Sequence, residues 1–334
     1  MPIGPVSNSH RQISVVEPLS PAFERVKQML FQPFEIGKWF VIGFCAWLAQ
    51  LGESGGSANF SQNNFNGNHY NNSTDNFRHG YTQVHDYILE NLYWLVPLVI
   101  FCVVLGLAIW VLIVWLNSRG KFMLLHCVAL NKAEVTEPWN KYAAQGNSLF
   151  RFRLVLGLIG MAVMLPMLLI MGVLIIKMVL AGQPVIEAIL MVAGLAMVFI
   201  VLVIILGLIQ KFTVDFVVPI MYLRGGTCLQ AWGEFWRLLC ANPGLFALYI
   251  LFQLLISIAI GIIVVGVFVL TCCIACCLAA IPYIGTVLLL PIFIFKRSFS
   301  IYFLRQFGPE YDVFPTAPPT APAPSGLQPF PGAS

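Results

Sequence analysis

The run Trp94–Leu116, WLVPLVIFCVVLGLAIWVLIVWL, contains no charged residue. As a helix it covers roughly 34 Å, slightly more than the ~30 Å hydrocarbon core of a bilayer. In lipid every backbone N–H and C=O must be paired within the segment, so the run reads as a transmembrane α-helix. Four more stretches meet the same requirement: Leu154–Ile176, Ile186–Ile209, Leu245–Leu270 and roughly Leu278–Phe295. A sixth, Ile36–Leu51, is shorter. Its uninterrupted apolar part is Trp39–Ala49, flanked by Lys38 and Gln50, and Lys38 can snorkel to the headgroups.

Composition agrees. Of 334 residues, 59% are hydrophobic and 10% charged, where a soluble domain carries about 25% charged residues. Too little polar surface is present to cover a soluble fold. The net charge of +4 is small and gives no reason to expect nucleic acid as a partner. Nine cysteines in a chain this long do not make a disulfide scaffold. The opening segment MPIGPVSNSHRQISVVEPLS lacks the apolar core of a signal peptide.

Six spans divide the chain into seven flanking segments. Their Lys plus Arg counts alternate 4, 1, 6, 1, 3, 0, 3, which places 16 on one side and 2 on the other. By the positive-inside bias the basic side, with both termini, is cytoplasmic.

Three stretches resemble one another: SPAFERVKQMLFQPFEIGKWF from Ser20, TEPWNKYAAQGNSLFRFRL from Thr136, and TCLQAWGEFWRLLCANPGLFALY from Thr227. Each opens on a Ser or Thr suited to cap a helix. In the third, Thr227 and Gln230 have capping-box spacing. Each continues as a short amphipathic helix. Trp232, Phe235, Trp236 and Leu239 share one face, with Glu234 off it; Phe23, Val26 and Leu30 do so in the first, opposite Glu24, Arg25 and Lys27. Each meets a breaker at Pro33, Gly146 or Pro243–Gly244, and a span follows. Each pair of spans leaves through a basic exit: SRGKFMLL, QKFTVDFVVPIMYLRGG and FKRSFSIYFLRQFG. The expected fold is therefore all-α: a polytopic transmembrane helix bundle of six spans, arranged as three tandem hairpins, each preceded by an interfacial helix. The repeat units run about 20–130, 131–226 and 227–307 within a transmembrane domain 20–314. Residues 1–19 form a flexible cytoplasmic N-terminus.

Two segments read as disordered. The outer loop, about 53–80, is rich in Asn, Gly and Ser and has too few apolar residues to order itself. Its His69, with His79 and His85 nearby, reads as solvated rather than metal-binding. The Pro/Ala-rich tail 315–334 is expected to be an extended cytoplasmic segment.

Chemistry is sparse. The middle of every span lacks ionisable residues, and no metalloprotease, nucleophile-elbow or phosphate-loop motif occurs in a supporting context. Gln253 and Ser257, one turn apart, are the candidate intramembrane polar contacts, with an interhelical hydrogen bond as their expected role. Asp215 follows Lys211 at i+4 and is expected to close the cytoplasmic end of the bundle. The stretch TCCIACC carries Cys272, Cys273, Cys276 and Cys277. No Lys, Arg or His lies between Arg237 and Lys296 to stabilise a thiolate, so neutral packed thiols are the first reading. A disulfide or a metal site stays open. No catalytic residue and no cofactor is expected.

PFEIGKWFVIGFCAWLA, the CCIACC run followed by PYIGTVLLLP, and the closing FLRQFGPEYDVF resemble a group of uncharacterised bacterial polytopic proteins. That group looks related to the membrane-domain region attached to some glycerophosphoryl diester phosphodiesterases. The resemblance covers about residues 20–314 and implies a bacterial inner-membrane location. The soluble phosphodiesterase domain has no counterpart here, so no activity carries over. Two functions compete: a non-enzymatic scaffold or accessory protein, with a membrane-protein partner or a second copy beside the lipid bilayer, and a facilitative pathway for lipids or small molecules. A solid bundle fits the first and a polar cavity fits the second.

Overall fold

A computed structural model describes residues 13–53, 83, 87, 89–181, 186–271 and 281–314. The regular elements among them are helices: α1 (Leu19–Leu30), α2 (Ile36–Gln50), α3 (Leu92–Leu130), α4 (Thr136–Lys141), α5 (Ala143–Ala181), α6 (Ile186–Phe212), α7 (Val218–Arg224), α8 (Cys228–Ala241), α9 (Pro243–Leu270), α10 (Pro282–Leu288) and α11 (Leu290–Arg305). A π-helical turn, Thr213–Val217, joins α6 to α7 without a break. Gly225, at φ 68°, ends α7 in the left-handed conformation that glycine adopts without a Cβ clash.

Among the described residues four helices are long and apolar enough to cross a membrane: α3, residues Ala143–Met178 of α5, the α6–α7 run Ile189–Arg224, and α9. No more than 6% of the apolar window of each is buried. Apolar surface on that scale needs lipid around it.

The two other apolar runs behave differently. Helix α2 has 15 residues, about 22 Å, short of a bilayer core. It lies along the far end of α3 rather than its apolar run. Lys38 Nζ donates to Asn131 Oδ1 at 3.0 Å, and Asn117 Nδ2 donates to the Ala49 and Leu51 carbonyls, each at 2.8 Å. The described part of the last run is split at Leu289 into α10 and α11.

The buried core sits at one pole, beyond the apolar windows. Three helix ends build it: the end of α3 from Asn117, the π-turn with α7, and α11. They supply Phe122, Met123, Leu125, Phe216, Ile220, Met221, Phe299 and Phe303 to one cluster, and each packs against the other two. Helix α8 seals it from below. Phe235 is buried and stacks on Phe216 with ring centroids 5.2 Å apart, and Trp232 Nε1 donates to Thr213 Oγ1 at 3.2 Å. Trp236, on the expected apolar face, instead stands 58% exposed. Glu234 is no bystander: it accepts from Arg224 Nε and from Tyr311 Oη, both at 2.9 Å.

Local details depart from the sequence reading. Ser20 and Thr136 lie within the first turns of α1 and α4 and cap neither, because Pro18 and Val135 already hold helical φ/ψ. At α8 the expected spacing works: the Thr227 N–H donates to Gln230 Oε1 at 3.0 Å. Gly146 is helical; the break falls at Tyr142, and α5 runs on through the glycine. The buried face of α1 is Ala22, Val26, Met29 and Leu30, while Phe23 is 67% exposed. Arg25, expected on the polar side, caps the end of α3 by donating to the Val128 and Ala129 carbonyls at 2.7–3.0 Å.

The two ends of the described chain meet. Ser14 N–H donates to Gln306 Oε1 at 2.7 Å and Gln306 Nε2 donates to the Ser14 carbonyl at 2.9 Å. Both therefore lie on the same side of the long apolar helices.

Candidate functional site

Where the apolar runs end and the core begins, the helices diverge around a cavity of about 630 Å³. Its position follows from the sequence of each helix. Asn117 ends the apolar run of α3, Arg153 precedes that of α5, and Gln210–Lys211 end that of α6. The C-terminus of α2 brings Glu53 to the same level, and α11 brings Lys296 and Arg297. The apolar walls include Trp110, Ile113, Val114 and Phe293.

Five cationic side chains line this space, against two carboxylates: Lys121, Arg153, Lys211, Lys296 and Arg297 against Glu53 and Asp215. Three of the cations are ion-paired, two of them to one shared carboxylate. Glu53 Oε1 is 2.7 Å from Lys121 Nζ and 2.9 Å from Arg153 Nη2. Burial would raise the Glu53 pKa, but these two charges outweigh it and hold the carboxyl below its usual value. Arg153 also donates to Gln210 Oε1 at 3.1 Å and to Asn117 Oδ1. Lys211 Nζ pairs with Asp215 Oδ2 at 2.7 Å.

Five cations against two carboxylates leave three positive charges in surplus. Lys296 and Arg297 form no ion pair with a described carboxylate. Arg297 is 6% exposed and donates from Nη1 to the Val214 carbonyl, which the π-turn leaves accessible. Its Nε and Nη2 are buried with no hydrogen-bond partner among the described residues. Burial pulls its pKa down to about 10, so the guanidinium is still charged at neutral pH. An unpaired buried cation costs several kcal/mol. Bidentate donation to a phosphate or carboxylate is the contact that removes that cost.

Gln253, expected to bond between helices, does so at the rim. Its Oε1 accepts from Lys211 Nζ at 3.2 Å, and its Nε2 donates to Tyr249 Oη at 2.9 Å. Tyr249 in turn donates to Asp215 Oδ2 at 3.1 Å. Ser257 is half-buried one turn farther along α9 and is not part of this network. Cys272, Cys273, Cys276 and Cys277, like His69, His79 and His85, lie outside the described residues.

A family profile matches residues 13–290, most of the chain. The chain belongs to DUF7544, a family of unknown function. Nothing in that match links it to glycerophosphoryl diester phosphodiesterases. No curated protein and no solved structure matches the chain. The DUF7544 match takes in Glu53, Lys121, Arg153 and Asp215 but stops before Lys296 and Arg297, the two unpaired cations.

In the sequence, Lys121, Arg153 and Arg297 read only as positive-inside charges. The signal that separates them is position. Each lies within a few residues of the end of an apolar run, where a long side chain can turn back into the bundle.

Proposed function

We propose that this is a non-enzymatic multi-pass membrane protein whose cavity receives the anionic headgroup of a lipid-like amphiphile, and that it provides a facilitative path for that amphiphile. The observation that carries the reading is Arg297, buried and charged with two unpartnered guanidinium nitrogens beside an unpaired Lys296. The cavity, at about 630 Å³, is in the range that holds organic ligands and far exceeds a bare phosphate. Trp110, Ile113 and Val114, the last turns of the apolar run of α3, give it the apolar wall an acyl chain requires. The scaffold reading has one observation in its favour: Leu229 and Trp236 of α8 are exposed and would suit a membrane-protein partner or a second copy. It gives no account of the charge surplus.

In this reading the basic pole faces the cytoplasm of a bacterial inner membrane, following the 16 to 2 charge bias. A six-crossing path remains the proposal for the whole chain.

The test is thermal unfolding of the detergent-purified protein with phosphatidylglycerol, phosphatidylcholine or inorganic phosphate added. Phosphatidylglycerol should raise the Tm, phosphatidylcholine should not, and Arg297→Gln combined with Lys296→Gln should remove the shift. Equal shifts from both lipids would refute the anionic site. A shift from inorganic phosphate as large as that from phosphatidylglycerol would make the ligand a soluble anion. For the path itself, vesicles carrying fluorescent phosphatidylglycerol should equilibrate between leaflets faster with the protein than without. Equal rates would return the protein to the scaffold class.

A further inference from the structure

A second site lies at the basic pole, where α3 ends and the chain turns into α4. A ring nitrogen of His126 and one carboxylate oxygen each from Glu134 and Glu137 lie within 4.8 Å of one another. His126 is 0% exposed. Its Nδ1 faces the Tyr222 hydroxyl at 3.2 Å, and its Nε2 is buried with no hydrogen-bond partner. Glu134 contributes a second orphan: its Oε2 is buried and unpartnered as well. A histidine and a carboxylate left unsatisfied side by side are costly as they stand. A metal cation satisfies both at once.

We infer that His126, Glu134 and Glu137 bind a divalent transition-metal ion, with His126 Nε2 and the two carboxylates as ligands. One imidazole nitrogen favours zinc, manganese or iron over magnesium and calcium, which take oxygen ligands. The Tyr222 hydroxyl at Nδ1 fixes the imidazole ring, as the outer partners of metal-bound histidines do. Tyr142, stacked on Tyr222 with ring centroids 4.8 Å apart, holds the Tyr222 ring in turn.

The ligand atoms must close from 4.8 Å to roughly 3.5 Å to meet bonds of about 2.0–2.2 Å to one ion. The two glutamates can supply that movement because both side chains are partly exposed. Their present cation contacts are loose: Lys132 Nζ is 3.8 Å from Glu134 and Lys141 Nζ is 4.0 Å from Glu137. A divalent ion outcompetes such solvent-screened lysines. It would join the end of α3 to the loop and to α4, and three protein ligands leave a position open to solvent or to a further group.

The protein also contains nine cysteines, so the readout must separate nitrogen and oxygen ligation from sulfur. Full-length protein, stripped with chelator in detergent, is titrated with Zn2+ by calorimetry and with Co2+ by absorption. One ion should bind per chain, and the cobalt spectrum of that site should lack a thiolate charge-transfer band. Glu134→Gln with Glu137→Gln changes no buried volume and should weaken binding at least a hundredfold. His126→Gln should do the same; if it fails to fold, the double glutamine variant decides alone. Glu24→Gln, on exposed α1 surface, should bind as the parent does. Absence of stoichiometric binding, binding unchanged in the double variant, or a thiolate band from the bound cobalt would each overturn the assignment.

Discussion

Glu53 shows how one side chain can hold the folded state and limit the site. It pairs with both Lys121, which is 4% exposed, and Arg153. Glu53→Gln leaves a buried lysine without its partner. Such a loss costs about 3–5 kcal/mol when both partners are buried. Glu53 is itself 36% exposed, so solvent screening should bring the cost to about 2 kcal/mol, read as a lower Tm at pH 7. The same change adds positive charge to the cavity, so phosphatidylglycerol should stabilise Glu53→Gln more than the parent. The pH dependence has a fixed sign. A carboxyl held below its unfolded pKa stabilises the protein above that unfolded value, and the benefit disappears as pH falls through the folded one. The Tm gap between parent and Glu53→Gln should therefore be full at pH 7 and shrink as pH drops below about 4. A gap independent of pH would mean that Glu53 acts through packing alone.

The close contact between α2 and α3 is set by a single position. A Cβ on Gly120 would lie 2.6 Å from backbone atoms of Leu48 and Ala49. Backbone cannot rotate aside, so Gly120→Ala must push α2 off α3 and open the cavity wall at Glu53. Overpacking of this kind costs about 1–3 kcal/mol, more than the ~1 kcal/mol that alanine gains over glycine in a helix. Gly106, on the same helix, has nothing within 4 Å of its Cβ position. Gly106→Ala should leave the Tm in detergent unchanged or raise it, while Gly120→Ala lowers it. Helix α8 gives a matching contrast. Phe235 is fully buried among Phe212, Phe216 and Phe246, so Phe235→Ala should cost about 3–5 kcal/mol. Trp236→Ala removes an exposed ring and should change the Tm little.

On the scale of the whole molecule, the fold separates a lipid-facing zone from a packed pole. Because the C-terminal end of α3 and the N-terminal end of α9 lie in the pole, Tyr93 and Thr271 lie at their opposite ends, some 30 Å or more away. Cysteines placed at Lys132 and Arg305 in a cysteine-free background should label from one side of the membrane, and those at Tyr93 and Thr271 from the other. With the basic pole cytoplasmic, the first pair should be protected in intact cells. Labelling of all four from one side would remove the two-zone arrangement.

The sequence alone determined that the chain is helical and suited to lipid, and where the four long apolar helices among the described residues lie. Apolar runs of 20 residues and a one-sided distribution of Lys and Arg are local properties, and the bilayer reads them directly. It located the α8 helix for the same reason: helical spacing is local. The cavity was decided by tertiary structure. Glu53, Lys121, Arg153 and Arg297 are far apart in the chain, and each alone looks like an ordinary interfacial charge. The cluster of His126, Glu134 and Glu137 was hidden differently. Its residues are near in sequence, but the left-handed turn at Asn131, φ 56°, reverses the chain between them, and no helical period predicts that. Which charges are paired and which are left over depends on how helix ends converge, and that convergence is fixed by close contacts such as Gly120 against α2, which no pattern along one helix contains.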